Sequence, residues 1–274
     1  MLNLGPMRIP VPAVMGILNV TPDSFSDGGR YDSCDIALRQ ALSMAADGAA
    51  IVDIGGESTR PGSAGVSEQA ELDRVIPVIE AIRNATDTPI SIDTSKAAVM
   101  REAVAAGANM INDVFALRAE GALEAASDLG VPVCLMHMQG EPRTMQDKPV
   151  YGDVVAEVTA FLEQRVVECV TAGIPEDLLV IDPGFGFGKS RDHNVELLAN
   201  LRQLRVRDRP VLVGVSRKAT LGDLTGRDVR DRTAASVAAA VIAVTRGAAI
   251  VRAHDVRETV DALRIVQAVI EAGE

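Results

Sequence analysis

Eight polar or ionisable residues follow eight short apolar runs of the sequence, one at the end of each run. In chain order they are Asn19, Asp53, Asp93, Asp113 beside Asn112, His137, Asp182, Ser216, and His254 beside Arg252. Small residues such as Ser, Gly or Thr would serve equally well where a strand enters a loop. The repeated choice of Asp and His therefore indicates one shared site rather than eight unrelated loop entries.

Two of the loops that begin at these residues have the composition of ligand-binding segments. The segment 19–29 combines glycines, hydroxyls and carboxylates with Phe25, which suits a lid that orders over a ligand. The segment 55–62 places Arg60 among hydroxyl residues and glycines, which suggests recognition of an anion or a carboxylate. A solvated turn is the alternative reading of the second segment.

The segment 182–189 alternates glycine and phenylalanine and ends in a lysine. A phosphate-binding P-loop requires a glycine six residues before that lysine, and this position is Pro183. The alternation instead predicts a loop that passes close to a flat ligand, with Phe187 as a stacking surface. The following motif, Ser216-Arg217-Lys218, places two cations side by side, so an anion or a carboxylate is expected to face them.

Arg252 and His254 are separated by one residue and so project to the same side of an extended chain. Together with Asn19, they resemble a site for an anion and a hard metal ion. One carboxamide is a sparse ligand set, so we expect Mg²⁺ held mainly by water and substrate phosphate. A tight zinc site is not expected, because no Cys/His cluster has the spacing that zinc requires.

The elements that position these residues alternate from one end of the chain to the other. The apolar runs are Val14–Leu18, Ala50–Ile54, Ile90–Ile92, Met110–Asn112, Val133–Met136, Leu178–Ile181, Val211–Val215 and Ala249–Arg252. Near-continuous apolar runs are typical of parallel strands buried on both faces. Between them lie stretches with helical spacing, among them Ile36–Ala46, Leu72–Ile82, Val154–Cys169 and Ser236–Thr245. Glycines follow five helical stretches, where helix C-caps are expected: Gly48, Gly107, Gly130, Gly173 and Gly247.

This alternation predicts an α/β fold, a (β/α)8 TIM barrel in which residues 1–274 form a single domain, with the eight strand ends meeting at one mouth. A doubly wound open sheet is the alternative. Apolar residues make up 47% of the chain, yet it has no Trp, two Tyr and five Phe, so branched aliphatic residues must fill the core. Met100 and Met110 are expected in that core.

Charge and cysteine usage limit the classes of partner and compartment. The net charge of −11 disfavours nucleic acid as a partner. No membrane span is expected, because the sequence contains no uncharged apolar stretch of about 18 residues. The basic run Arg202, Arg205, Arg207 and Arg209 is expected to be a solvated face. Cys34, Cys134 and Cys169 are expected to be small buried side chains in a reducing compartment. Since the N-terminus has no signal-peptide layout, a cytoplasmic location is expected.

Six motifs together resemble dihydropteroate synthase, an enzyme family of folate biosynthesis. They are Met15–Gly29, Glu57–Gly62, Ser91–Thr94, Asp182–Gly188, Ser216–Lys218 and Arg252–Asp255. The resemblance implies that 6-hydroxymethyl-7,8-dihydropterin pyrophosphate is joined to p-aminobenzoate, with pyrophosphate released. It also implies a dissociative reaction with Mg²⁺, in which the pterin methylene becomes a cation before the amine attacks, and it suggests a homodimer.

The resemblance further implies a role for each matching residue. The pterin-binding residues would be Asp93, Asn112, Met136, Asp182, Gly214 and Lys218. The p-aminobenzoate-binding residues would be Thr59, Arg60, Pro61, Phe187 and Ser216. The pyrophosphate-binding residues would be Asn19, Thr59, Arg60, Arg252 and His254, with Asn19 as the metal ligand. The residues with catalytic roles would be Asp93, Lys218, Arg252 and His254.

Two other functions are compatible with a pterin-binding barrel. Pterin-binding methyltransferase domains share the barrel and the Asp/Asn slot, but they lack the lid motif and the Glu57–Gly62 motif. A non-catalytic pterin-binding protein is the second alternative, and the charged rim argues against it. The family usually has a hydroxyl residue where this chain has Ala219, which affects a peripheral contact at most.

Overall fold

A computed structural model of the chain describes residues 1–21, 30–58, 65–140, 144–147, 149–204 and 206–273. A short antiparallel hairpin comes first, formed by β1 (Leu2–Leu4) and β2 (Met7–Ile9). Eight parallel strands follow within the described residues: β3 (Ala13–Asn19), β4 (Ile51–Gly55), β5 (Ile90–Asp93), β6 (Met110–Asp113), β7 (Val133–Met136), β8 (Leu179–Asp182), β9 (Leu212–Val213) and β10 (Ile250–Ala253). The helices are α1 (Arg30–Ala46), α2 (Glu68–Ala85), α3 (Ala97–Ala105), α4 (Ala122–Leu129), α5 (Val154–Thr171), α6 (Arg191–Ala199), α7 (Ala219–Thr225), α8 (Thr233–Thr245) and α9 (Val256–Gly273).

The eight parallel strands form a barrel. Their order is β8-β7-β6-β5-β4-β3-β10-β9, so consecutive strands are neighbours and the last strands lie beside the first. The ring closes between β8 and β9, where Ile181 pairs in parallel with Val211 and the Ile181 amide donates to the Pro210 carbonyl at 3.0 Å. The prediction of a TIM barrel is confirmed, and the alternative of an open sheet is wrong.

The hairpin was not expected from the sequence. Its residues Leu4, Met7 and Ile9 are buried in one apolar cluster with side chains from the start of the barrel strands, including Met15 and Ile250. The hairpin therefore covers the amino-terminal end of the barrel. Strands of three residues are too short to show a hydrophobic period, so the sequence pattern does not predict them.

Helix boundaries follow local capping chemistry. Ser67 accepts a hydrogen bond from the Ala70 amide at 3.2 Å at the start of α2, and Asp153 accepts one from Ala156 at 2.9 Å at the start of α5. The predicted helices lie within longer ones: α1, α2 and α8 begin three to six residues earlier than predicted, and α5 ends two residues later. The five glycines predicted after helices all have positive φ, from 61° to 117°.

The remaining expectations about burial are mostly confirmed. Met100 and Met110 are fully buried, and Cys134 and Cys169 are buried free thiols. Cys34 is only half-buried, so its expected burial was wrong. In the basic run, the exposed Arg207 pairs with Glu176 at 2.6 Å, while Arg205 lies outside the described residues. No helix among the described ranges is long and apolar enough to cross a membrane.

Candidate active site

The alternation of side chains along the strands decides which residues face the inside of the barrel. Ile51, Met110, Cys134, Val180 and Ile250 pack together inside its lower half. Residues two and four positions further along each strand face the same interior, closer to the carboxyl-terminal mouth. The inner row at the mouth therefore comprises Asn19, Asp53, Gly55, Ser91, Asp93, Asn112, Met136, Asp182, Gly214, Arg252 and His254.

Arg252 lies at the centre of this row, between two carboxylates. Its Nε donates to Asp53 Oδ2 at 2.6 Å, and its Nη2 donates to Asp93 Oδ2 at 2.8 Å. The Asn112 amide donates to the same Asp53 oxygen at 3.1 Å. Strands that are distant in sequence thus meet through one guanidinium, which fixes the orientation of both carboxylates before any ligand binds.

Asp93 is the member of this network whose charge is most open to change. Burial raises the pKa of Asp93 to about 7, while Arg252 opposes the rise and Asp53 adds to it. The carboxyl group of Asp93 is therefore protonated more readily than that of an exposed aspartate. Among the described residues, Asp53 Oδ1 and Ser91 Oγ are buried polar atoms without a hydrogen-bond partner. These atoms lie on paired positions of β4 and β5, so the polar layer extends beneath Asp93.

Asp182 and Lys218 lie on the other side of the mouth. The Gly184 amide donates to Asp182 Oδ1 at 2.7 Å, which leaves the second carboxylate oxygen for another donor. Burial raises the pKa of Asp182 to about 6, although the Gly184 amide and Lys218 oppose the rise. Burial also lowers the pKa of Lys218 to about 8, so both groups are mainly charged at neutral pH. The Lys218 ammonium lies 4.1 Å from the centre of the Phe187 ring, a cation–π contact.

The loops after β9 and β10 are joined by two neighbouring pairs of residues. His254 Nδ1 lies 3.0 Å from Ser216 Oγ, which also accepts the His254 backbone amide at 3.1 Å. Next to this pair, Arg217 Nε donates to Asp255 at 3.0 Å. The sequence predicts that an anion or a carboxylate faces the adjacent cations Arg217 and Lys218. Asp255 is that carboxylate, but it binds Arg217, whereas the Lys218 ammonium lies over the Phe187 ring. Burial and Arg252 lower the pKa of His254 to about 4, so its imidazole is neutral at pH 7.

Two glycines of the inner row leave open space beside these groups. A Cβ atom at Gly214 would meet no protein atom within 4 Å, so a flat ligand has room there. A Cβ atom at Gly55 would lie 3.7 Å from Asp93 Oδ2 and 3.9 Å from Asn19 Oδ1, so both oxygens border one small space. The described residues contain no group of three or more His, Cys, Asp or Glu side chains that could hold a metal ion.

Comparisons with known proteins agree with this arrangement. The model of the pterin binding enzyme family matches residues 15–254. The dihydropteroate synthase of Escherichia coli K12 is 53% identical over 263 residues, which cover 96% of this chain and 93% of that protein. The chain belongs to the dihydropteroate synthase family. It is therefore an enzyme, a transferase of a pterinylmethyl group.

Solved structures of family members share the whole fold. The Yersinia pestis dihydropteroate synthase in a sulfonamide drug complex superposes with a TM-score of 0.91 at 54% identity, covering 95% of each chain. The Xanthomonas albilineans enzyme with 4-aminobenzoic acid gives a TM-score of 0.90 at 56% identity, covering 94% of this chain and 93% of that one. A structure of the same enzyme with 7,8-dihydropteroate gives a TM-score of 0.88 at 52% identity, covering 96% of this chain and 95% of that one.

Most of the site residues inferred from the resemblance meet at the mouth. Asn19, Asp93, Asn112, Met136, Asp182, Gly214, Arg252 and His254 belong to the inner row, and Phe187, Ser216 and Lys218 border it. Thr59, Arg60 and Pro61 lie outside the described residues, as do Phe25 and most of the expected lid. Ala219 is the exposed first residue of α7.

Of the eight residues that follow the apolar runs, five belong to the inner row and Ser216 borders it, whereas Asp113 and His137 do not face it, which corrects the expected convergence. Asp113 accepts the amides of Phe115 and Leu117 at 2.8 and 2.7 Å and so shapes its own loop. His137 packs edge-on against Phe161, with ring centres 4.9 Å apart. Each is the immediate neighbour of an inward residue, and adjacent residues of a strand face opposite sides.

Asp53 is the site residue that the sequence reasoning missed. The sequence places Asp53 at the end of an apolar run, but the resemblance implies no role for it. In the structure it is fully buried beneath Arg252. A signal was present in the sequence, because Asp53 lies two residues after Ile51 and so shares its inward side. Its partner lies 199 residues away, and no local pattern identifies such a pair.

Proposed function

We propose that this enzyme joins 6-hydroxymethyl-7,8-dihydropterin pyrophosphate to p-aminobenzoate, giving 7,8-dihydropteroate and pyrophosphate. The observation that carries the proposal is the open space beside Gly214, an inner-row position of the same mouth as the carboxylates of Asp93 and Asp182 and the cation Lys218. The relatives from X. albilineans were solved with 4-aminobenzoic acid and with 7,8-dihydropteroate, which supports the same substrate pair here.

The pterin would lie among Asp93, Asn112, Asp182 and Lys218, with Met136 and Gly214 lining the slot. A pterin ring presents a guanidine-like edge of N–H donors, which a buried carboxylate can accept in a bidentate pair. Asp182 suits this role, because it is 6% exposed and mainly ionised at neutral pH. Asp93 and the Asn112 amide would bind the remaining polar atoms of the ring.

The p-aminobenzoate ring would lie against Phe187, and Ser216 would bind its carboxylate. Thr59, Arg60 and Pro61 complete this pocket in the proposal, on the strength of the family resemblance alone. The contact between Lys218 and Phe187 supports the assignment, since it brings the pterin-side cation and the proposed aromatic wall together. The two substrates would therefore meet near Lys218.

The leaving diphosphate would lie near Asn19, Arg252 and His254, with Thr59 and Arg60 of the second loop. His254 is neutral at pH 7 and would contribute a hydrogen bond rather than a charge. Asn19 Oδ1 faces the space beside Gly55, so one amide oxygen is available to a hard metal ion. These residues fit a Mg²⁺ ion bound through Asn19, water and substrate phosphate. When bound, such an ion supplies positive charge to the departing diphosphate.

The reaction needs no protein nucleophile. The C–O bond between the pterin methylene and the diphosphate breaks first, and the diphosphate leaves with the electron pair. The amine nitrogen of p-aminobenzoate then donates its lone pair to the methylene cation, and the protonated amine that results loses its proton to water. Orientation of the two substrates and stabilisation of the separated charges would provide most of the rate acceleration.

We also propose that the enzyme is a cytoplasmic homodimer whose residues 1–274 form one domain. Exposed apolar side chains on the two adjacent helices α8 and α9 support self-association: Ile242, Ile265, Val269 and Ile270. Analytical ultracentrifugation at micromolar concentration measures the assembly directly. A monomer at all concentrations would contradict the dimer.

The activity is tested by incubating the protein with both substrates and Mg²⁺ and measuring pyrophosphate. We expect pyrophosphate and dihydropteroate in equal amounts, and no dihydropteroate when p-aminobenzoate is left out. A methyltransferase-type barrel or a non-catalytic pterin-binding protein would bind pterin and release no pyrophosphate. Release of pyrophosphate without dihydropteroate would also contradict the proposal, because it would mean hydrolysis.

A further inference from the structure

The loop at 183–190 folds around the side chain of Lys189, which is only 2% exposed. The Lys189 ammonium donates to the carbonyls of Gly184 and Phe187 at 2.9 and 3.0 Å and lies 3.4 Å from the His137 carbonyl. It also lies 2.9 Å from His137 Nδ1. A buried ammonium is tolerated only when its donors are satisfied, and this one has acceptors for all three.

His137 takes part as an acceptor rather than as a competing cation. Burial and Lys189 lower the pKa of His137 to about 3, so the ring is neutral and Nδ1 can accept from the ammonium. Phe161 packs against the imidazole edge to face and holds its orientation. The cluster therefore joins the loop after β7 to the loop after β8 through the hydrogen bonds of one amino group.

The backbones of the two loops approach as closely as glycine allows. A side chain at Gly184 would collide with the His137 carbonyl oxygen, and one at Gly188 would collide with the Gln139 carbonyl oxygen. Both glycines have positive φ, at 68° and 60°. Tyr151 donates to the Gly188 carbonyl at 2.8 Å from the other side. The junction between the loops is thus fully packed, and Lys189 is its polar centre.

The groups that Lys189 binds belong to residues that shape the two substrate pockets. Gly184 accepts from Lys189 through its carbonyl and donates through its amide to Asp182. Phe187 accepts from Lys189 through its carbonyl, and its ring lies under Lys218. One buried lysine side chain therefore holds, through these two backbone carbonyls, the segments that carry the Gly184 contact to Asp182 and the Phe187 ring.

We propose that Lys189 is a positioning residue for the transfer reaction, holding Phe187 as the wall of the p-aminobenzoate pocket and Asp182 toward the pterin. This inference rests on the proposed function for the identity of the two ligands. The position of the Phe187 ring depends on the loop alone, whereas the position of the Asp182 carboxylate is also fixed by strand β8. Loss of Lys189 should therefore weaken p-aminobenzoate binding more than pterin binding.

The test compares Lys189→Met with Arg191→Met, which removes an exposed cation two residues away. For Lys189→Met we expect the KM for p-aminobenzoate to rise by about tenfold and the pterin Kd by no more than about threefold. Amide hydrogen exchange at 184–187 should become faster by a similar factor. The Arg191→Met control should leave all three quantities within about twofold of the parent.

A merely structural role predicts a different result, namely a lower melting temperature with unchanged KM values in the folded fraction. That result, or unchanged exchange at 184–187, would overturn the inference. If Lys189→Met does not fold, His137→Phe removes one acceptor while keeping the charge, and it should raise the KM for p-aminobenzoate by about threefold. Unchanged KM and exchange in that variant would equally overturn it. If the parent protein forms no dihydropteroate, the proposed function fails, while hydrogen exchange still reports whether Lys189 holds the loop.

Discussion

Replacing Arg252 by alanine tests the central network of the site, because it leaves Asp53 and Asp93 without their shared partner. Asp53 is 0% exposed and the Asp93 side chain 10% exposed, and their contacts with Arg252 are 2.6 and 2.8 Å long. Removing one partner from a buried ion pair costs about 3–5 kcal/mol. We therefore expect the free energy of unfolding to fall by about 4 kcal/mol at pH 8.

The loss should depend on pH, because Asp93 can take up a proton. The pKa of Asp93 in the folded protein, about 7, is above its value in the unfolded chain. The protonated carboxyl group therefore adds to the free energy of unfolding at low pH, and this contribution is lost as the pH rises through 7. Arg252 is the main influence that lowers this pKa, and without it the pKa rises further. A rise of one unit, from about 7, makes the loss at pH 8 larger than the loss at pH 6 by about 1 kcal/mol. Turnover should fall by about a hundredfold, which corresponds to about 2.7 kcal/mol.

Denaturant unfolding at pH 6 and pH 8, together with steady-state turnover, measures these quantities. Arg101→Ala is the matched control, because Arg101 pairs with Asp128 at the surface, with 45% and 65% of the side chains exposed. That variant should lose less than about 1 kcal/mol at either pH. Equal losses at the two pH values for Arg252→Ala, or losses as small as those of the control, would refute the coupling between Arg252 and Asp93.

Three further outcomes are expected. Asp182→Asn should weaken pterin binding in calorimetry by at least about a hundredfold with the fold intact, and affinity within about twofold of the parent would remove Asp182 from the slot. p-Aminobenzoate should bind more tightly when pterin and pyrophosphate are present than to the free enzyme, since both ligands order the same loops, and equal affinity would argue against this coupling. Gly188→Ala should lower the free energy of unfolding by about 3 kcal/mol through strain and collision, whereas Gly226→Ala, with positive φ but open space, should lose only about 1 kcal/mol.

The sequence predicted the barrel because its strands are buried on both faces and therefore apolar throughout. It also predicted that polar residues at the ends of the apolar runs would meet, and Asn19, Asp53, Asp93, Asp182 and His254 do lie in the inner row of the mouth. The error at Asp113 and His137 has a simple origin: the run ends do not reveal which of two adjacent residues faces inward. Counting in steps of two from the buried residues Met110 and Cys134 selects Asn112 and Met136 instead.

Contacts between distant segments were beyond the reach of the sequence. Lys189 ends a motif that suggests ligand binding, yet its amino group is directed into the protein, where it lies 2.9 Å from Nδ1 of His137, 52 residues away. Arg217 was one of two adjacent cations, and only the closeness of two neighbouring loops shows that Asp255 binds it. In both cases the charge is satisfied by a partner whose position depends on the closed barrel rather than on local spacing.

The two inner cations of the mouth differ in how fully they are neutralised, and this difference bears on how a diphosphate would be bound. Arg252 already donates to two carboxylates, so much of its charge is compensated before an anion arrives. Lys218 has no carboxylate within salt-bridge distance among the described residues and contacts an aromatic ring instead. A diphosphate carries several negative charges, and it would enter a space already bordered by Asp53 and Asp93. Among the described residues, Lys218 is the cation of the mouth that is not already paired with a carboxylate, so the charge balance supports the proposed Mg²⁺ ion at Asn19 or a proton on Asp93.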